Sequence, residues 1–194
     1  MIKSQAELNE YLHVDALANW RSSTKPKMFG DEQWKFILAM RKCEFFSGFH
    51  GIKKVMHILP FTFYKIRYHR LGVLCGYTIP LGACGKGLAL PHRGSIVINT
   101  KTQIGENCRI HQCVTIGSTS GTSDSAKIGN NVFIGAGACI IGGIEIADDV
   151  AIGANAVVVK SITEPGTTWA GVPAKKISDN NSHSCLSPFL FTQQ

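Results

Sequence analysis

Two of the chain's seven histidines stand where proton chemistry is possible. His92 lies in Leu90-Pro-His-Arg-Gly-Ser95, flanked by a proline and a nearby glycine. Its unperturbed pKa of ~6.5 suits a group that takes a proton and returns it at neutral pH. His111 follows in Arg109-Ile-His-Gln-Cys113. The alternative for His92 is a hydrogen-bonded histidine at the edge of the fold, and for His111 a solvent-facing corner residue. Cys43, Cys75, Cys84, Cys108, Cys113, Cys139 and Cys185 form no Cys-x-x-Cys pair. Only His92 and His111 are spaced to converge, so a metal site is not expected. The chain has no P-loop, no Gly-x-Ser-x-Gly elbow and no dinucleotide fingerprint opening a helix. What remains is general acid–base work, with His92 as base and His111 in support.

The residues that must position this pair repeat every six. From Ile98 the sixth positions are Ile104, Ile110, Ile116, Thr122, Ile128, Ile134, Ile140, Ile146, Ile152 and Val158. An α-helix repeats at 3.6 and a strand at 2, and neither gives six. A six-residue period is the mark of a parallel β-helix, in which stacked coils align the aliphatic residues into one core. Glycine often follows the aliphatic residue, at 105, 117, 129, 135 and 153, where a corner calls for positive φ or a tight backbone. One step back from Ile98 falls on His92, a histidine where an aliphatic residue is expected. His111 occupies a corner slot about one coil further on, which brings the two within reach. Thr122 lies in the polar run Ser118–Ala126, so 118–127 reads as a loop thrown out from an otherwise continuous repeat.

Residues 1–75 lack the period. Ser4-x-x-Glu7 resembles a capping box ahead of one helix, and Asp31 is the candidate cap of a second. Pro60 breaks the chain before a third helix over 61–74, which is basic and aromatic. That helix suits the β-helix, a neighbouring chain or a membrane surface. Residues 1–75 carry 12 Lys+Arg and 6 Asp+Glu, so most of the net +7 sits there. No recognised nucleic-acid motif accompanies that charge, and no nucleic-acid partner is expected. Domains are expected at 1–75 (helical), 76–163 (β-helix) and 164–194 (C-terminal segment and mobile tail). No apolar run is long enough to span a bilayer and no signal core opens the chain, so a cytoplasmic protein is expected.

Leu90–Ile98, Val114-Thr-Ile-Gly117, Ile134-Gly-Ala-Gly-Ala138 and Ala170-Gly-Val-Pro-Ala174 resemble the hexapeptide acyltransferase superfamily, within it the serine acetyltransferase group. The resemblance spans roughly residues 70–177. It implies a left-handed parallel β-helix, a homotrimer, and acetyl-CoA in the cleft between chains. By the same resemblance His92 matches the family's catalytic base. Gly135, Ala136, Gly153 and Ala154 match positions lining the pantetheine arm, and Lys175 and Lys176 suit the cofactor phosphates. The departures lie on the acceptor side. Pro91 stands where the serine enzymes have Asp, Thr78 or a neighbour stands for a second Asp, and the loop Ser123–Lys127 lacks their histidine. Asp124 and Lys127 remain as acceptor contacts. The sequence is also similar to capsular and exopolysaccharide O-acetyltransferases, which share Val97-Ile98-Asn99. The expected activity is acetyl transfer to a sugar hydroxyl, with L-serine O-acetylation and a non-catalytic scaffold as alternatives.

Overall fold

The computed structural model describes residues 2–119 and 124–192, except for the side chain of Lys54. Four helices come first: α1 (Gln5–Ala18), α2 (Glu32–Ser47), α3 (Gly51–Met56) and α4 (Ile58–Cys75). Short strands follow: β1 (Tyr77–Thr78), β2 (Ile96–Ile98), β3 (Gln103–Ile104), β4 (Arg109–Ile110), β5 (Thr115–Gly117), β6 (Lys127–Ile128) and β7 (Phe133–Ile134). The series ends with β8 (Cys139–Ile141), β9 (Glu145–Ile146), β10 (Ala151–Ile152), β11 (Val157–Val158), β12 (Thr168–Ala170) and β13 (Lys175–Ser178).

The strands stack into three faces of a parallel β-helix. The first is β1-β2-β5-β8-β11, the second β3-β6-β9, and the third β4-β7-β10-β12-β13. Among the described residues only β13 runs antiparallel, closing the third face against β12. Val97 pairs with Thr115, eighteen residues on, and Thr115 pairs with Cys139, twenty-four on. The extra six residues are the slot holding Thr122. The excess is one whole hexapeptide, so the aliphatic phase survives it. Thr122 and residues 120–123 as a whole lie outside the described residues. The stacked aliphatic positions, Ile98 through Val158, are all buried where described.

Glycine has a different job from the one expected. Gly105, Gly129, Gly135 and Gly153 are absent from the positive-φ residues, which at these corners are Asn107, Cys113, Asn131, Gly137, Asp149 and Asn155. Gly105, Gly129, Gly135 and Gly153 answer to close approach instead, whereas Gly117 has room for a side chain. A Cβ on Gly135 would lie 2.6 Å from the Ala154 nitrogen of the next coil.

The helices cover the open start of the β-helix through a buried ionic clamp. Arg41, fully buried on α2, donates Nε to Asp15 Oδ2 at 2.8 Å and Nη1 to Glu44 Oε2 at 3.1 Å. It also donates to the carbonyls of Cys84 and Gly85 in the first coil. Asp15 accepts from the amides of Gly87 and Leu88, and Glu44 from that of Gly82. Burial alone would push the arginine pKa down; the two carboxylates overcome this and push it up.

Ser4 caps α1, accepting from the Glu7 amide at 3.1 Å. Asp31 does not cap α2. It sits at φ 68° and spends its carboxylate on Arg21 and the Lys27 amide. Pro60 does not break the third long helix but lies within the first turn of α4, where its missing N–H has no intrahelical partner to lose. The tail is docked where it is described. Leu186 is buried, Ser182 reaches the Asn131 carbonyl, and Ser187 reaches the Leu17 carbonyl of α1. No helix among the described residues is long and apolar enough to cross a membrane.

Candidate active site

Each coil turns at three edges. The edge between the third and first faces carries His92, His111, Gly135-Ala136 and Gly153-Ala154 on successive coils, as the strand register dictates. Adjacent coils lie ~4.8 Å apart, so the edge from His92 to Ala154 spans about 14 Å. The sequence-predicted base and pantetheine positions therefore share one edge.

His92 does not replace a core aliphatic residue. Ala89 bridges to Arg109, which places Leu90 in the slot stacked on Ile110. Leu90 is buried and His92 is exposed. The period slips by two residues here, and the slip turns His92 outward at the corner. Tyr77 Oη donates to the His92 carbonyl and fixes the turn.

The His92 and His111 rings meet edge to face with centroids 5.5 Å apart. Phe133 closes on His111 from the next coil at 5.1 Å. Arg109 Nε donates to His111 Nε2 at 3.1 Å. Arginine cannot give up its proton, so His111 Nε2 must carry a lone pair and the ring proton sits on Nδ1. Burial, then Arg109, then His92 push the His111 pKa below 6.5. Trp20 covers the outer face of the Arg109 guanidinium at 4.2 Å, and burial lowers the Arg109 pKa. Among the described residues no carboxylate bonds either ring. Arg109 and Trp20 are neighbours of the histidine pair that the sequence reading did not name. The signal for Arg109 was its i, i+2 relation to His111 along a strand, which puts both side chains on one face.

The backbone differs between edges. At the edge joining the second and third faces, the amides of Glu106 and Asn130 are capped from the coil above, by Asn130 Oδ1 at 2.8 Å and Asp148 Oδ1 at 2.6 Å. At the histidine edge the matching positions are Gln112, Ala136 and Ala154. Alanine has no side-chain acceptor. Among the described residues the Ala136 and Ala154 amides find no partner. Gln112 Oε1 is buried nearby and also lacks one. The edge thus offers a ladder of free donors beside small side chains and one free acceptor near the histidines. That donor and acceptor set fits an extended arm bearing amides.

The remaining predicted residues lie elsewhere. Asp124 and Lys127 line a cavity of about 370 Å³ at the edge between the first and second faces, where Lys127 pairs with Glu145 at 3.7 Å. A single chain does not bring them to His92. Lys176 pairs with Glu164 and Asp179, each at 2.5 Å. Lys175 is exposed and joins no ion pair among the described residues. No group of three or more His, Cys, Asp or Glu converges among the described residues.

Residues 125–160 match the family described as bacterial transferase hexapeptide (six repeats). No curated protein sequence matches the chain. Among solved structures the chain is similar to the serine acetyltransferase of Brucella abortus strain S19. Identity is 25%, coverage 91% of this chain and 71% of that one, and the TM-score 0.70. A complex of that enzyme with coenzyme A gives 25% identity, 91% and 70% coverage and a TM-score of 0.69. The serine acetyltransferase of Neisseria gonorrhoeae in complex with serine gives 25%, 90%, 71% and 0.65.

Proposed function

From its place in the hexapeptide-repeat acyltransferase superfamily, among serine acetyltransferase-like proteins, we propose that the chain transfers the acetyl group of acetyl-CoA to a hydroxyl, and that the hydroxyl belongs to a sugar in polysaccharide synthesis. The observation that carries the reading is the shared edge: an outward histidine at one end and a ladder of unpaired amides beside alanines along the rest. His92 takes the acceptor's proton as its oxygen attacks the thioester carbonyl. It then returns the proton to the departing CoA thiolate. Such a base contributes ~10²–10⁴ in rate, about 3–5 kcal/mol. The Ala136 and Ala154 amides bind the carbonyls of the pantetheine arm, and Lys175 approaches the phosphates. His111 orients His92 in place of the carboxylate that usually does so; Arg109 fixes its tautomer and Trp20 holds Arg109.

The sugar acceptor rests on what the acceptor side lacks. An amino acid needs a carboxylate partner for its ammonium beside the base, and Pro91 supplies none. The second reading, L-serine, is favoured by the solved serine acetyltransferases that the fold resembles, one of them with serine bound. In either case Asp124 and Lys127 reach His92 only from a neighbouring copy, which the family's left-handed, trimeric architecture provides. The seven free cysteines fit a reducing cytoplasm. The test is release of free thiol from acetyl-CoA, with L-serine and with sugars and nucleotide sugars as acceptors. Turnover confined to sugars is the expected result. Turnover on L-serine replaces the first reading with the second.

A further inference from the structure

We propose that the outer face of α3 and α4 docks on an anionic lipid surface. The helix α4 is apolar on two opposite sides. Its inner side carries Phe61, Tyr64, Tyr68 and Leu71, and it is occupied. Tyr64 stacks on Phe46 and Tyr68 on Phe36, both from α2, and Tyr68 donates to the Ile79 carbonyl of the first coil. The helix is therefore anchored without its other side. At 100° per residue, Leu59, Phe63, Ile66 and Val73 fall within an arc of about 80° directly opposite. They are 79%, 55%, 54% and 73% exposed. Ile52, Val55 and Met56 of α3 extend the exposed apolar surface. A helix with two apolar sides and one partner leaves one side for something else to cover.

The charge names the occupant. Between Glu44 and Glu106 the sequence has no acidic residue and eight Lys or Arg. Five of these, Lys53, Lys54, Lys65, Arg67 and Arg70, lie on α3 and α4. Among the described residues, Lys53, Lys65, Arg67 and Arg70 join no ion pair. Arg67 and Lys65 instead lie over Phe63 and Phe61, at 5.7 and 5.5 Å. Arg70 falls inside the apolar arc. Buried against protein, Arg70 would be a charge without a counter-ion. A second copy packed face to face would present the same cationic surface, with no carboxylate in this segment to offer. At a bilayer surface the apolar groups enter the acyl boundary while Lys and Arg reach the phosphates. α4 would lie in that plane, since no described helix is fit to span. The inference uses only the fold and charge and is independent of the acetyl-transfer reading.

The test is sedimentation of the full chain with phosphatidylcholine vesicles, with and without one third phosphatidylglycerol, at low and high salt. Two variants run beside it. One is Leu59→Ser, Phe63→Ser and Ile66→Ser together; the other is Lys65→Gln, Arg67→Gln and Arg70→Gln together. The wild type is expected to bind the anionic vesicles and release at high salt. The charge variant should lose about fivefold per cation, on the order of a hundredfold in all. The apolar variant should also release, and both should keep the wild-type melting temperature. Absence of wild-type binding overturns the proposal. If light scattering then shows fewer subunits in the apolar variant, the face belongs between copies of the chain. Binding that survives in both variants also overturns it, because another surface is then responsible.

Discussion

Replacing Ala154 with Asp should raise stability and weaken CoA binding at once. At the edge joining the second and third faces, Asp148 caps the Asn130 amide at 2.6 Å. Ala154 occupies the matching position at the histidine edge, one coil beyond Ala136, so Ala154→Asp sets the same cap on the free Ala136 amide. One added hydrogen bond is worth ~0.5–1.5 kcal/mol, which in a chain of this size raises Tm by roughly 1–6 °C. The amide thereby lost to the pantetheine arm removes a similar amount from binding, so Kd for CoA should rise roughly two- to tenfold. The matched control is Asp148→Ala, which frees the Asn130 amide on the other edge. It should lower Tm and leave CoA binding untouched. Calorimetric titration with CoA and thermal melts of the three proteins give both readouts. Unchanged CoA affinity in Ala154→Asp, with Tm raised as predicted, would refute the assignment of this edge to the cofactor.

Three further outcomes follow from the same structure. Arg41→Met leaves Asp15 and Glu44 as buried carboxylates without a counter-ion, and denaturant unfolding should show a loss of about 3–5 kcal/mol; a loss under ~1 kcal/mol would mean the backbone amides alone hold the clamp. His111 titrates below 6.5 in the fold, so between that lowered value and 6.5 the unfolded chain binds the extra proton. Stability should therefore fall as pH drops below about 6.5 and level off beneath the folded pKa, and His111→Gln should flatten that slope in a Tm series from neutral to acid pH. Cys84 is buried with its pKa pushed up to about 12, and Cys108 is buried with its pKa raised well above normal. Cys113 is exposed on the histidine edge. Maleimide should label Cys113 ahead of those two in the folded protein, and CoA should slow that labelling, as peptide mass mapping would show.

The β-helix was legible because its signal is redundant. Ten aliphatic residues at one spacing survive the loss of Thr122, and an excess of six residues keeps the phase. The two-residue slip at Leu90 was not legible, because it occurs in the first coil, where no earlier repeat fixes the phase. Extrapolation from Ile98 therefore named His92 for a wrong reason, as a failed core position, when it is a corner residue. The contrast between edges was written in the sequence. Glu106, Asn130 and Asp148 hold side-chain acceptors or a carboxylate, whereas Ala136 and Ala154 hold none. It gains meaning only once hydrogen bonds show which amides are capped. The Arg41 clamp joins α1, α2 and the first coil across sequence separations that no local pattern reports. Asp31 had the right type and place for a cap, but Arg21 and the Lys27 amide compete for its carboxylate and win.

The assignment of the catalytic edge rests most directly on His92. The deciding measurement is kcat for thiol release from acetyl-CoA by the wild type and by His92→Asn, each with its best acceptor and with CoA binding measured alongside. A loss of ~10²–10⁴ in kcat with CoA affinity preserved is the predicted result. Wild-type turnover in the substituted protein, with CoA still bound, would contradict the assignment of this edge as the catalytic one.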